Sequence, residues 1–302
     1  MGESNENIIS GNVLSDFKPE HCAARNTDNM VEYWKYFSQS KQVKFYEDDE
    51  IFHVDCGLTY DEAPFGPNCV LKANLKPETM RQRIEKVIDY YTSKNMPFWW
   101  YICPASSPSN LGEVLKSYSF SEMDGTPVMA VKLDEMIVDR KKPNQLEILE
   151  VTDESGFREW WDLWVNGYPQ PEVLGKKFAD ITAEIGYHPS NMMKFYTGYY
   201  DGEPAGTTFI LIGAGVVALY GVTVLPKMRG KGIGTELSLH PLRIARTMGL
   251  KIGVLDATEQ GIGIYQRIGF KKVMTPKIYI PSSPQSESTI KHMNEFMHSQ
   301  RK

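Results

Sequence analysis

Three glycines stand at alternate positions, Gly230, Gly232 and Gly234, inside the stretch 219–234, LYGVTVLPKMRGKGIG. A glycine-rich turn at the start of a helix exposes several backbone N–H groups with no side chains shielding them. With the helix dipole behind it, such a nest binds phosphate. Arg229 and Lys231 add positive charge at its rim. A Walker loop needs a glycine five residues before its Gly-Lys pair, and Leu225 stands there. A dinucleotide fingerprint reads GxGxxG, whereas 230–234 reads GxGxG. The chemistry is phosphate binding, but neither common nucleotide motif supplies it.

The elements that must present this loop are legible on both sides of it. Val216, Val217, Leu219, Val222, Val224 and Leu225 are apolar and mostly β-branched, which predicts a strand ended by Pro226. Leu237, Leu239, Leu242, Ile244 and Ala245 then follow a helical pattern. The order is strand, glycine turn, helix.

This stretch resembles the signature (Q/R)xxGxG of the GNAT superfamily of acyl-CoA-dependent N-acyltransferases, here Arg229 to Gly234. The family's second landmark, a tyrosine followed four residues later by Gly-Phe, stands as Tyr265 to Phe270, YQRIGF. The resemblance covers about 146–280 and implies acetyl-CoA as acyl donor, with no metal. It assigns the pyrophosphate to Arg229, Gly230, Lys231, Gly232, Ile233, Gly234 and Thr235. It assigns the pantetheine arm to main-chain groups of Val222 and Val224, with the Val224 N–H as a candidate oxyanion donor. Tyr265 matches the general acid that protonates the departing thiolate. Thr258 stands where many relatives carry an asparagine beside the cofactor. Relatives often place a glutamate base near the central strand, yet 213–225 holds no carboxylate. Asp256 and Glu259 are the nearest in sequence, and no base is assigned. Trp160, Trp161, Trp164, Tyr168 and Tyr187 fall where similar proteins wall the acceptor site, although the helical spacing of the tryptophans favours core packing.

At 302 residues the chain has room for two domains. Its net charge of −5 argues against a nucleic-acid partner. No apolar run reaches the ~18 residues of a membrane helix, and the polar start MGESNENIISGN lacks the basic and apolar regions of a signal peptide. Cys22, Cys56, Cys69 and Cys103 form no CxxC pair, and the histidines show no metal-ligand spacing. Together these predict a cytoplasmic protein with reduced, mostly buried thiols; the resemblance implies an amine acceptor as its partner, and the oligomeric state is left open.

The order helix 78–94, strand 97–102, helix 110–118 and Phe120 parallels helix 235–248, strand 250–256, helix 261–268 and Phe270. Laying 111–120 on 261–270 puts Leu115 at the place of Tyr265 and Ser119 at that of Gly269. No glycine occurs between Gly66 and Gly112, so the phosphate loop has no counterpart in the first half. The expectation is an α+β chain of mixed, mostly antiparallel sheets flanked by helices, a tandem GNAT-like fold with a degenerate first copy. Its domains would be 1–140 and 146–281, joined by the charged stretch 134–145, with a polar, mobile tail over 282–302. Around 194–212 a strand pair is expected about a turn at Asp201, Gly202, Glu203 and Pro204, and one last strand over 272–280.

Two functions follow. The first is an N-acetyltransferase that moves an acetyl group from acetyl-CoA to a primary amine by direct attack. The second is a non-catalytic acyl-CoA-binding sensor, against which Tyr265 argues, because a binder needs no acid for a thiolate.

Overall fold

A computed structural model describes residues 13–63, 66–137, 142–168, 172–188, 192–282 and 291. In chain order its elements are α1 (Pro19–Phe37), β1 (Lys44–Glu47), β2 (Ile51–Asp55), β3 (Cys69–Ala73), α2 (Met80–Thr92), β4 (Trp99–Ile102), α3 (Leu111–Ser117), β5 (Phe120–Asp124) and β6 (Val128–Lys132). There follow β7 (Leu146–Glu150), α4 (Glu154–Gly167), α5 (Glu172–Ile185), β8 (Met193–Tyr200), β9 (Glu203–Gly213) and β10 (Val216–Val224). The last are α6 (Ile233–Thr247), β11 (Ile252–Asp256), α7 (Glu259–Arg267), β12 (Lys271–Met274) and β13 (Lys277–Pro281). This is the expected α+β arrangement of two mixed, mostly antiparallel sheets. Most of the expected tail and residues 138–141 of the expected linker lie outside the described residues.

One compact unit comprises 1–29, 128–170 and 186–273. Its sheet has the order β12-β6-β11-β10-β9-β8-β7. α6 buries Ile233, Leu237, Leu239 and Leu242 against one face, with Val217, Leu219 and Leu255 beneath. Cys22 of α1 packs on the opposite face with Val216, Ala218, Ile252 and Val254. α4 is started by Asp153, whose carboxylate accepts the N–H of Gly156 at 2.8 Å. The β8–β9 turn is tighter than the sequence suggested. Asp201 and Gly202 both take positive φ (53° and 78°), the two-residue turn that matches strand twist. Pro204 lies inside β9 at a register shift, where its missing N–H is tolerated.

The second unit comprises 30–127, 171–185 and 274–302, with the sheet order β1-β2-β3-β4-β13-β5. Its core gathers Tyr91, Phe98, Trp100, Leu111 and Leu115. The topology repeats that of the first unit. β3 and β4 pair in parallel at Cys69–Trp99 and Val70–Trp100, as β10 and β11 do at Val217–Gly253 and Ala218–Val254. Ser119 takes a positive φ of 61° after α3, just as Gly269 takes 106° after α7.

The expected single strand over 272–280 is two strands, and they belong to different sheets. β12 lies beside β6, whereas β13 runs between β4 and β5. Reciprocally, β6 follows β5 in sequence but pairs with β11 from Ile252–Lys132 to Asp256–Val128. Each sheet thus takes one strand from the other half of the sequence, and the compact units cut across the boundary at 140–146. Cys22, Cys56, Cys69 and Cys103 are buried free thiols, as expected.

Candidate active site

β10 pairs with β9 along most of its length but with β11 over two residues only. Beyond Ala218 and Val254 the parallel strands part, and a gap opens between them. On its other edge β10 carries an extra residue between Tyr220 and Thr223, a bulge with Gly221 at φ 60°. A β-carbon there would come within 2.9 Å of Phe209 and 3.3 Å of Trp160, so space as well as φ requires glycine. The displaced carbonyls are satisfied from β9. Thr207 Oγ1 donates to Gly221 O at 3.0 Å and Thr208 Oγ1 to Tyr220 O at 3.3 Å. Past the bulge, the Leu225 N–H donates to Ala205 O at 2.9 Å. Strand N–H groups alternate in direction, so those of Val224 and Val222 turn away from β9 toward the gap.

After β10 comes a single 3-10 turn, Pro226–Met228. Arg229 then folds back on the strand, its Nε donating to Val224 O at 3.1 Å and its Nη2 to Gly167 O at 3.5 Å. Lys231 lies over the Tyr200 ring, 4.4 Å from its centroid. Gly230 and Gly232 take φ of 79° and 80°. A β-carbon on Gly230 would meet nothing within 4 Å, so its glycine serves the left-handed turn alone. Gly232 caps α6 without a side chain, and Gly234 packs where a β-carbon would touch Val224 Cγ2 at 3.4 Å. Ile233 is buried and anchors the first turn, whereas Thr235 is half-buried. The leading N–H groups of a helix have no partner within it, and here they follow Gly230 and Gly232, with the Lys231 side chain drawn off onto Tyr200. These unshielded backbone N–H groups form the kind of nest that favours an anion.

Across the gap, the carbonyl of Thr258 begins α7 by accepting from Gly261 and Ile262 N–H at 2.9 and 3.1 Å. Its hydroxyl makes no capping bond. Tyr265 leans back over this first turn, 9% exposed, with its ring 5.8 Å from that of Phe270. The Phe270 N–H donates to Tyr265 O at 2.9 Å, which holds the helix end. Burial pushes the Tyr265 phenol well above its ordinary range, and the neighbouring phenol of Tyr168 adds to this. Tyr168 is pushed up to about 12 by burial. It stacks on Trp164 at 5.3 Å, which stacks on Trp160 at 6.4 Å. Trp160 is fully buried, its indole N–H shared between Tyr196 O and Thr208 O at 3.1 Å each. Trp161 is buried edge-on to both neighbours. Tyr187 donates to Val151 O at 3.1 Å. Of the five aromatic candidates, Tyr168 is thus placed beside Tyr265, while Trp160 and Trp161 are core.

A glycine loop at a helix start, a bulged strand and a tyrosine-bearing helix meet at one gap in the sheet. Residues 156–270 match the family model described as acetyltransferase (GNAT) family. They are a GNAT domain. A curated relative, the glucosamine 6-phosphate N-acetyltransferase of Trypanosoma brucei brucei, is 25% identical over 130 residues, 41% of this chain and 88% of that one. A GCN5-related N-acetyltransferase from Kribbella flavida has a similar fold (TM-score 0.65, 15% identity, 86% of this chain and 96% of that chain). So does a tandem GNAT protein from the clavulanic acid biosynthesis pathway (TM-score 0.56, 11% identity, 89% and 98%). The tandem GNAT-like fold expected from the sequence is therefore found, and the class is acyl-CoA-dependent acyltransferase.

Sequence reasoning did not single out three residues that shape the GNAT domain's site. Gly261 makes room for the Tyr265 ring, Gly221 bulges β10, and Gly167 lets α4 end against Thr223. The carboxylates nearest the gap in sequence close β11 (Asp256) and open α7 (Glu259). Among the described residues no group of His, Cys, Asp and Glu could hold a metal, and no helix is long and apolar enough to cross a membrane.

Proposed function

We propose that the GNAT domain transfers an acetyl group from acetyl-CoA to a primary amine by direct attack. The observation that carries this reading is the parting of β10 and β11, with the Gly230–Gly234 loop at the end of one strand and Tyr265 beyond the other.

The pyrophosphate sits on the N–H groups that open α6, around Gly232, Ile233, Gly234 and Thr235. The arm of the cofactor pairs with the main chain of Val222 and Val224, whose N–H groups face the gap, and the Val224 N–H serves the developing oxyanion. Thr258 offers its uncommitted hydroxyl beside the arm. Arg229 fixes the strand end through Val224 O, and Lys231 contributes field at the rim. Tyr265 gives its proton to the sulfur as the C–S bond breaks. Its raised pKa keeps it protonated throughout the neutral range, so the acid form is always present. The adduct nitrogen is cationic after attack, and its loss of a proton to the phenolate resets Tyr265 and leaves a neutral amide.

The second unit is a copy of the same fold that kept its parallel strand pair but lost its loop. Residues 74–79, between β3 and α2, contain no glycine, and Leu115 occupies the place of Tyr265. The acceptor of the trypanosomal relative makes glucosamine 6-phosphate the first amine to test, beside polyamines, amino acids and lysine peptides. Mass spectrometry of such reactions with acetyl-CoA should find one acetylated amine. Binding of acetyl-CoA without acetylation of any member would favour a sensor.

A further inference from the structure

The second unit carries a pocket of its own, between α2 and the β1–β2 hairpin. Its volume is about 660 Å³, the size of a site for a small ligand. Tyr46, Asp48, His53, Arg83, Lys86 and Tyr90 line it. Tyr46 and His53 are partners across the hairpin, and their rings stack at 4.8 Å. Tyr90 stands edge-on to both, at 5.0 and 5.3 Å. Its hydroxyl donates to Asp55 Oδ2 at 2.6 Å and meets the Tyr46 hydroxyl at 2.7 Å, so the aromatic wall is fixed from behind.

His53 is only 8% exposed, and its tautomer follows from its neighbour. Tyr91 has one hydroxyl proton and gives it to Val54 O at 2.6 Å. It can therefore only accept in its 3.0 Å bond with His53 Nδ1. Nδ1 holds the ring proton, and Nε2 is a bare lone pair. Tyr91 belongs to the core, so the ring edge that carries Nε2 is the one turned to the pocket. Among the described residues nothing bonds to it. Burial lowers the His53 pKa to about 4, so at neutral pH the ring is uncharged and Nε2 remains an acceptor.

The charges around the pocket are unbalanced. Asp48 is engaged by Arg83 and by the N–H groups of Glu50 and Ile51 at 3.0 and 3.1 Å. Glu47, the other carboxylate here, pairs with Lys35 at 2.7 Å. Lys86 is exposed and makes no ion pair among the described residues. Arg83 Nε is buried without a hydrogen bond, 3.6 Å from Glu50. The pocket thus offers an uncompensated cation and an unused acceptor. Arg83, Lys86 and Tyr90 follow one another at helical spacing. The cations therefore stand one to two turns, about 5–10 Å, from the end where His53 lies. That is the length of a hexose phosphate.

We propose that this pocket binds a hydroxylated anion of monosaccharide size, a sugar phosphate by class. Its phosphate lies against Lys86 and the Arg83 guanidinium, and a ring hydroxyl donates to His53 Nε2. The C–H face of the sugar rests on Tyr46, which is 40% exposed. An ammonium ligand, which an aromatic wall also attracts, would find both carboxylates already neutralised. The unit that lacks the glycine loop thereby has a ligand site of its own.

The test is calorimetric titration of the full chain with glucose 6-phosphate, which has no amine to acetylate, and separately with glucose and with inorganic phosphate. Nitrogen NMR of the histidine rings accompanies it. The wild type should bind glucose 6-phosphate at a single site, and glucose or phosphate alone about tenfold more weakly or worse. Lys86→Glu, on an exposed helix face, should weaken the sugar phosphate about tenfold or more. His53→Phe keeps a ring on Tyr46 but removes Nε2, and should cost about tenfold. The spectrum should show His53 protonated at Nδ1, with the Nε2 signal moving as glucose 6-phosphate is added. No binding by the wild type at about 10 mM, binding that both variants leave unchanged, or inorganic phosphate bound as tightly as the sugar phosphate overturns the proposal. If His53→Phe fails to fold, an Nε2 signal that stays in place at saturation does the same. None of these readings depends on acetyl transfer, so their failure leaves the transferase reading standing.

Discussion

A β-carbon built on Gly261 falls 2.5 Å from Cε2 of Tyr265, so the phenol ring fills the space that any larger residue at 261 would need. The relationship follows from helix geometry, in which a side chain tilts back over the residue four positions earlier. Gly261→Ala should push the ring from its place and lower kcat about tenfold or more, since misplacement near the chemistry is costly. It should do so while α7 gains up to about 1 kcal/mol in helix propensity. Gly263→Ala is the control. Its β-carbon would meet only the end of the Arg267 side chain, at 3.3 Å, so stability should rise with kcat unchanged. Steady-state rates and Tm for the two variants check this.

Tyr265→Phe keeps the ring and its packing on Phe270 but removes the proton. We expect kcat to fall by about 10²–10³ with little change in acetyl-CoA affinity, the signature of an interaction made in the transition state. Adding Gly261→Ala to Tyr265→Phe should cost almost nothing further, because both act through one hydroxyl.

The glycine turn before α6 and the place of Tyr265 on α7 were legible because local sequence sets them. Gly230, Gly232 and Tyr265 lie within short motifs, and positive φ or a helix start needs only neighbours in sequence. The strand exchange was not. Residues 128–132 and 277–281 read as ordinary apolar strands, and nothing in their composition says which sheet receives them. Asn26 and Asn29, which hydrogen-bond to Asp256 and Tyr220, were missed because their partners lie about two hundred residues away. Two buried amides one turn apart on the apolar stripe of α1 were the available signal. Gly261 could have been found by asking what lies four residues before Tyr265.

Gly167 ends α4 where a β-carbon would clash with Cγ2 of the buried Thr223. Gly167→Ala should therefore destabilise the protein by about 1–3 kcal/mol, the usual cost of overpacking. Thr223→Ser removes that methyl group. The double variant should recover most of the loss in denaturant titration.

Asp256 predicts a pH dependence of stability. Burial pushes its carboxyl up to about 6 from an ordinary value of 3.8, so between these values the folded state holds more protons than the unfolded one. The contribution is fully present below about pH 3.8 and is lost as pH rises through about 6. Asp256→Asn escapes this loss. Its Tm relative to wild type should rise from pH 4 to pH 8, by no more than about 3 kcal/mol in stability, and less because the group is partly open to solvent.

The most direct measurement is thiol release from acetyl-CoA with glucosamine 6-phosphate and the other amines, using wild type, Tyr265→Phe and Gly232→Glu. Gly232→Glu puts a bulky carboxylate into the anion-binding turn at a residue with φ of 80°. A transferase with Tyr265 as its acid gives amine-dependent release by the wild type, slow release with intact binding in Tyr265→Phe, and no acetyl-CoA binding by Gly232→Glu. Equal amine-dependent release by all three proteins would contradict it.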